Sequence, residues 1–288
     1  MKARPDGLPD QDVEAALATG WNVSARVEYL PVGVGSYHWH APAPALFVTV
    51  DDLDRKPFLG DDPDVVFEAL RRALETTAAL RRGGLEFVVA PIEGRDGAVL
   101  WRITRRYAVA VYPYLGEPRP FKKTLTGDER AAFRVMLARL HATSVGKLAR
   151  VVRPEVPLRR ELEMALDAPP LAANAPLIRG WLDRFDQLVR YLDASDVPLV
   201  VTHGEPHSGN IVRTAGGFVL VDWDTVGLAP RERDLWLVGG GDLQLCELYR
   251  LRWRLDDLSW AVSMLHDDPD GALTALRASI DHEPFTRD

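Results

Sequence analysis

The hydrophobic period of this chain changes once, and that change decides which class of fold is open to it. Up to residue 115 the apolar residues come in short alternating or continuous runs. Beyond Gly116-Glu117-Pro118-Arg119-Pro120 they recur at the 3.6-residue spacing of helices. Two prolines and a glycine cannot continue a strand, so this segment predicts a boundary between a strand-rich part, 1–115, and a mostly helical part, 116–288. In the first part Ala25–Val32, Ala45–Val50, Val99–Thr104 and Tyr107–Tyr112 read as strands. One helix starts at Asp61-Asp62-Pro63, with acids and a proline in its first turn. It carries Val66, Ala69, Leu70, Ala73, Leu74 and Thr77 inward and stops at Gly83-Gly84. In the second part Phe133, Met136, Leu137 and Leu140 line a helix that begins near Thr126. A longer stripe runs from Ile178 through Trp181, Leu182, Phe185, Leu188 and Val189 to Leu192. These stripes are core. The expectation is an α+β protein with a small antiparallel-sheet lobe, one helix within it, and a larger helical lobe.

Composition narrows the class of partner. The 288 residues carry 42 acids against 35 bases, a net charge of −7, which argues against a nucleic-acid binder and permits a cationic ligand. A single cysteine, Cys246, excludes an intrachain disulfide and a cysteine-based zinc cluster and points to a reducing cytoplasm. No apolar run is long enough for a membrane span, and the first twenty residues have no apolar core of the secretory kind.

The chemistry concentrates between Pro198 and Gly241. An apolar strand, Leu199-Val200-Val201, runs into the polar loop His203-Gly204-Glu205-Pro206-His207-Ser208-Gly209-Asn210. A second apolar strand follows. A turn at Ala215-Gly216-Gly217 leads to a third, which ends in Asp222-Trp223-Asp224. A loop followed by a hairpin with two carboxylates at its exit can gather Glu205, Asn210 and Asp222 around one small volume. Amide and carboxylate oxygens are hard ligands suited to Mg²⁺, which takes one or two protein groups and completes its shell with phosphate oxygens and water. A neighbouring free carboxylate can orient a hydroxyl and accept its proton. His203 and His207, four apart with Glu205 between them, do not make a helical zinc pair, because Gly204 and Pro206 oppose a helix there.

These residues resemble, in order and spacing, the aminoglycoside phosphotransferase and choline kinase family, a branch of the protein-kinase-like fold. The family's loop H-G-D-x-x-x-x-N is matched by His203-Gly204-Glu205 and Asn210, its D-W-D by Asp222-Trp223-Asp224, and its D-L pair by Asp234-Leu235. Leu137–His141 looks like its L-x-x-L-H helix, and Tyr112-Pro113-Tyr114-Leu115-Gly116 like its hinge. The resemblance implies a nucleotide-binding lobe over 1–115 and a catalytic, acceptor-binding lobe over 116–288. It implies Mg²⁺ held by Asn210 and Asp222, and ATP or GTP as co-substrate. The nucleotide would be met by Gly33, Gly35 and Ser36 of a glycine loop and by the segment of Tyr112, Tyr114 and Leu115. Glu205 would accept the proton of a small-molecule hydroxyl. His203 and Asp234 would brace the loop, and Asp224 would touch metal or substrate.

Two residues depart from the family pattern. Glu205 stands where the family has Asp, which extends the carboxylate by about 1.5 Å, one C–C bond; Pro206 beside it is a candidate for compensation. Thr49 stands where the third strand usually carries a phosphate-pairing Lys, with Asp51 and Asp52 just after it and Lys56 seven residues on as a candidate substitute. Glu68 and Glu75 then lack an evident partner, and Arg71 or Arg72 is an alternative phosphate contact. Residues 234–288 hold eleven acids and five bases. With Trp236, Trp253 and Trp260 among them, they form a candidate surface for a cationic acceptor. The resemblance implies transfer of a γ-phosphate to an aminoglycoside, amino-sugar or amino-alcohol. The alternatives are a choline- or homoserine-type kinase, and a nucleotide-binding pseudokinase with a regulatory role.

Overall fold

The computed structural model describes residues 3–33, 35–116, 126–146, 149–214 and 216–281. Val34 of the glycine loop, the boundary residues 117–120 and the turn residue Ala215 lie outside these. In chain order the elements are α1 (Asp10–Trp21), β1 (Glu28–Leu30), β2 (Ser36–Pro42), β3 (Ala45–Asp52), α2 (Pro63–Arg82), β4 (Trp101–Arg102), β5 (Tyr107–Pro113), α3 (Gly127–His141), α4 (Arg159–Ala165), α5 (Ala175–Asp193), β6 (Leu199–Thr202), β7 (Ile211–Thr214), β8 (Gly217–Leu220), β9 (Gly227–Pro230), α6 (Glu232–Leu235), α7 (Leu243–Ser263) and α8 (Pro269–Asp281). They fall into two units. The first comprises Met1–Phe121, Val145–Arg150 and Asn210–Val226; the second comprises Lys122–Ser144, Val151–Gly209 and Gly227–Asp288.

The first unit is built on a five-stranded antiparallel sheet in the order β1-β2-β3-β5-β4. Alternation along β5 explains its continuous apolar run. Tyr107, Val109 and Val111 join the core with Val13 and Leu17 of α1, while Ala108 and Ala110 join Val66, Leu70 and Leu74 of α2. Among the described residues the lobe therefore has two α-helices, α1 and α2, and the expectation of one is corrected. α1 has Val13, Ala16, Leu17 and Gly20 buried at helical spacing, but its start is the uncapped Pro9, so the usual sequence signal for a helix is absent. α2 is conventional, with the Asp62 side chain accepting from Asp64 N, a proline in the first turn and Gly83 at its end.

The hairpin β7–β8 belongs to this first unit, whereas the sequence boundary grouped it with the helical part. Fully buried Leu220 makes the connection. Its N–H donates to Phe87 O at 2.7 Å, and its carbonyl accepts from Val89 N at 3.0 Å.

The second unit has its main core where Ile178, Leu182, Phe185 and Leu188 of α5 meet Leu248, Leu255 and Leu258 of α7. Thr126 and Glu129 cap α3 reciprocally, at 2.8 and 3.3 Å. β6 pairs antiparallel with β9, from Leu199↔Pro230 to Thr202↔Gly227. Sequence reasoning found β6 but not β9, whose four residues begin with glycine and end with proline.

Candidate functional site

In the second unit the loop after β6 is held by one carboxylate. Asp234, fully buried on α6, accepts from His203 N at 3.0 Å, from Gly204 N at 2.7 Å and from His141 Nε2 of α3 at 2.9 Å. Burial alone would raise its pKa, but His141, then the charge of His203 and the Gly204 N–H, hold the carboxyl below its usual range. The next turn is fixed from within. Glu205 N donates to His203 Nδ1 at 3.2 Å, and His207 N donates to Glu205 O at 2.8 Å. His207 Nδ1 accepts from Gly209 N at 3.1 Å, and burial, followed by the charge of His203, pushes that imidazole down to about 4. Gly204 is required for two reasons. Its φ of 101° lies in the left-handed region, and a methyl group at its Cα would overlap the guanidinium of Arg233. Glu205, half-buried, is thereby presented from a backbone with little freedom.

In the first unit the β7–β8 register sets Ile211 opposite Leu220, so Asn210 and Val221 flank the ladder, and Val221 N donates to Asn210 O at 3.0 Å. The chain then turns through Asp222, whose φ of 66° is a left-handed conformation uncommon for a residue with a Cβ. Trp223 anchors that turn. It is 2% exposed and its Nε1 donates to Leu220 O at 2.9 Å, while the carboxylates of Asp222 and Asp224, before and after it in sequence, both act on Lys56 and Tyr112.

Asp224 leads to the residue that strand counting placed poorly. Lys56, 4% exposed, pairs with Asp224 at 2.8 Å and with Asp51 at 2.9 Å. Desolvation disfavours this ammonium, but the Asp224 and Asp51 carboxylates outweigh it and hold the lysine charged well above its ordinary range. The chain reverses through one 3₁₀ turn, Leu53–Arg55, capped by Asp52, and that brings Lys56 back beside the end of β3. Asp52 is itself fixed by Arg106 at 3.0 and 2.6 Å. Thr49, at the expected lysine position, instead has its hydroxyl 3.3 Å from His38 Nδ1. Glu68 and Glu75 both pair with Arg71 on the exposed side of α2, so that arginine is engaged locally.

The nucleotide candidates divide. Ser36 joins the Lys56 cluster, its hydroxyl donating to Asp51 at 2.6 Å and lying 3.5 Å from Lys56 Nζ. Gly33 and Gly35 precede it with φ of 70° and 90°. Tyr112 points to the same cluster: desolvation, then the carboxylates of Asp51, Asp222 and Asp224, keep its phenol protonated well above the usual range. Tyr114 instead stacks on His40 at 4.1 Å, and its N–H reaches Ala45 O at 3.4 Å; Leu115 is exposed. Of the candidate acceptor residues in the second unit, Trp236 and Trp253 pack together at 6.0 Å, Trp253 meets His207 edge-on, and Trp260 is exposed. Asp256 is paired with Arg252 at 3.4 Å, so the formal acidity of this region is partly neutralised.

The donor set is consistent with a hard divalent cation. Asn210 and Asp222 offer oxygens, and Asp51, Asp222 and Asp224 together outweigh the one charge of Lys56. Among the described residues no three His, Cys, Asp or Glu side chains gather as a protein cage. Mg²⁺ requires none, since it commonly uses one or two protein groups together with phosphate oxygens.

Comparison with known proteins agrees with this geometry. The family model described as "Phosphotransferase enzyme family" matches residues 43–261. The chain is 26% identical over 264 residues to Protein StrN of Streptomyces griseus, covering 81% of this chain and 77% of that one. It is 29% identical over 110 residues to a glucosamine kinase of Streptacidiphilus jiangxiensis, covering 36% of this chain and 25% of that one. In fold it is similar to spectinomycin phosphotransferase, solved in complex with ADP and spectinomycin. That match has a TM-score of 0.71 at 16% identity and covers 97% of each chain. The expected α+β class, with an antiparallel-sheet unit and a mostly helical one, holds.

Proposed function

The chain belongs to the phosphotransferase enzyme family and is a small-molecule phosphotransferase, and from that premise we propose that it moves the γ-phosphate of ATP or GTP to a hydroxyl of an amino-sugar or aminoglycoside. The observation that carries the assignment of roles is the hairpin register. It sets Asn210 beside Val221, one residue before Asp222, which supports reading the two side chains as oxygen donors to one cation. Asn210 and Asp222 hold Mg²⁺, which neutralises charge on the transferring phosphate. Asp224 fixes Lys56, and Lys56 takes the place that Thr49 leaves vacant, as the cation facing the nucleotide phosphates. Gly33, Gly35 and Ser36 cover those phosphates. The backbone from Tyr112 to Leu115 meets the base, with Leu115 N–H as its donor because Tyr114 N–H is directed to Ala45 O. Glu205 orients the acceptor hydroxyl and takes its proton, and the Asp234 clamp fixes the loop that presents it.

An amino-bearing acceptor is supported by the glucosamine kinase and spectinomycin phosphotransferase similarities, and by the excess of acids in residues 234–288. The single cysteine supports a cytoplasmic setting.

The test is phosphate transfer from labelled ATP and GTP, with Mg²⁺, to glucosamine, spectinomycin, kanamycin, choline and homoserine, with Glu205→Gln run beside the unaltered protein. Transfer to an amino-sugar or aminoglycoside is expected. In Glu205→Gln, Mg·ATP binding persists while turnover falls about 10²–10⁴-fold, the usual worth of a positioned acid or base. Transfer to choline or homoserine alone would reassign the acceptor, and full turnover in the variant would remove Glu205 from the reaction.

A further inference from the structure

Arg233 precedes the Asp234 clamp and is itself buried, at 7% exposure. Its Nη1 donates to Thr202 Oγ1 at 2.9 Å, and that hydroxyl donates to Gly227 O at 2.9 Å, so the guanidinium is tied to both strands of the β6–β9 pair. It lies against the Cα of Gly204 so closely that any side chain there would overlap it. A cation kept under a catalytic loop at a cost in desolvation calls for a carboxylate. Two carboxylates adjoin it in sequence: Glu232 is turned to Arg231 and accepts from Asp242 N at 3.0 Å, and the oxygens of Asp234 already serve His203 N, Gly204 N and His141. The next carboxylate is Glu205, one residue beyond Gly204.

We propose that Arg233 is a positioning residue for Glu205: its guanidinium, locked over Gly204, holds the Glu205 carboxylate ionised and in one orientation. The inference rests on the reading of Glu205 as the group that receives the acceptor's proton. It also accounts for the glutamate. The added methylene brings one more rotatable bond, and a fixed cation limits the rotamers that bond would otherwise open. The charges around the pair are consistent with this role. Burial pushes Arg233 down to about 10, with Asp234, Tyr249 and Glu205 on the side that restores its charge and Arg252 opposing them. His207 is neutral at physiological pH, since burial and His203 push it down to about 4. Arg233 thus faces this loop from α6, Arg252 of α7 and Arg153 line the same cavity beside Gly204, and His203 is a further titratable neighbour within the loop.

The test follows the Glu205 carboxyl by NMR in protein labelled with ¹³C-glutamate, its signal assigned by its loss in Glu205→Gln. In Arg233→Met the titration midpoint rises by about one pH unit or more, the effect of losing an opposite charge a few ångströms away. Arg233→Lys returns it toward the starting value. In the transfer assay the acid limb of kcat/KM moves up with it, a change that a merely structural role would not produce. An unmoved midpoint in folded Arg233→Met overturns the proposal. If that variant does not fold, Thr202→Val, which frees the guanidinium while keeping the side-chain shape, must show a smaller rise, and an unmoved midpoint there overturns it equally. A shifted midpoint together with full turnover in Glu205→Gln would uphold the coupling and remove the catalytic reading of Glu205. Transfer with an unmoved midpoint would do the reverse.

Discussion

Counted along a strand at about 3.3 Å per residue, Lys56 would stand roughly 23 Å beyond Thr49, too far to serve the same phosphates. The 3₁₀ turn at Leu53–Arg55 cancels that distance, and no local spacing announces such a reversal. Asn210 and Asp222 were legible for the opposite reason: they bound a two-stranded hairpin whose register follows from a glycine turn and matched strand lengths. Lys56 thus carries a prediction that separates its two roles. Lys56→Met leaves Asp51 and Asp224 without their shared cation and lowers the free energy of unfolding in urea by roughly 3 kcal/mol, as expected for breaking a buried ion pair. It also weakens Mg·ATP binding about 10-fold or more, the worth of a charge-assisted hydrogen bond. Lys56→Met combined with Asp51→Asn recovers part of the stability, because fewer carboxylates are left unpaired, but none of the affinity. Recovery of both would make Lys56 a purely structural cation.

At the scale of elements, strong periodicity was readable and weak termini were not. α2, α3 and α5 have the stripes and, for α2 and α3, the caps that sequence reasoning uses. α1 begins at an uncapped proline, and β9 is four residues with a proline at its end, so each exists because tertiary partners bury it. The hairpin β7–β8 shows the same dependence in a place that bears on function. Its strands are four residues each, too short to persist alone, and fully buried Leu220, bonded to Phe87 and Val89, ties it to the first unit. Leu220→Ala should cost about 2–5 kcal/mol of stability. It should also raise the Mg²⁺ concentration needed for nucleotide binding, because Asn210 and Asp222 lose their fixed separation. A stability loss with unchanged Mg²⁺ dependence would show that the hairpin keeps its register without that anchor.

Among the described residues a half-buried, charge-averse histidine stands in each unit, and this sets how the molecule meets acid. Burial pushes His38 of the first unit down to about 3 and His207 of the second down to about 4, from an ordinary value of 6.5. Both are neutral when folded and free to protonate when unfolded, so the unfolded chain binds more protons below the ordinary histidine range. The stability they protect is complete above about pH 6.5 and is lost as pH falls toward about 4 for His207 and about 3 for His38, at about 1.4 kcal/mol per pH unit for each. Asp234 has the same sign, but its ordinary value of 3.8 delays its contribution to a more acid range. Histidine-driven loss therefore begins nearly three pH units before the loss driven by Asp234. The urea midpoint should fall continuously from about pH 6.5 downward, and His207→Gln should reduce the slope by about half where the molecule unfolds as one. Where the two units unfold in separate steps, the variant should flatten the step of the second unit and leave the first sloping with His38. A midpoint level down to about pH 4.5 would mean that both imidazoles take up protons without leaving their folded positions.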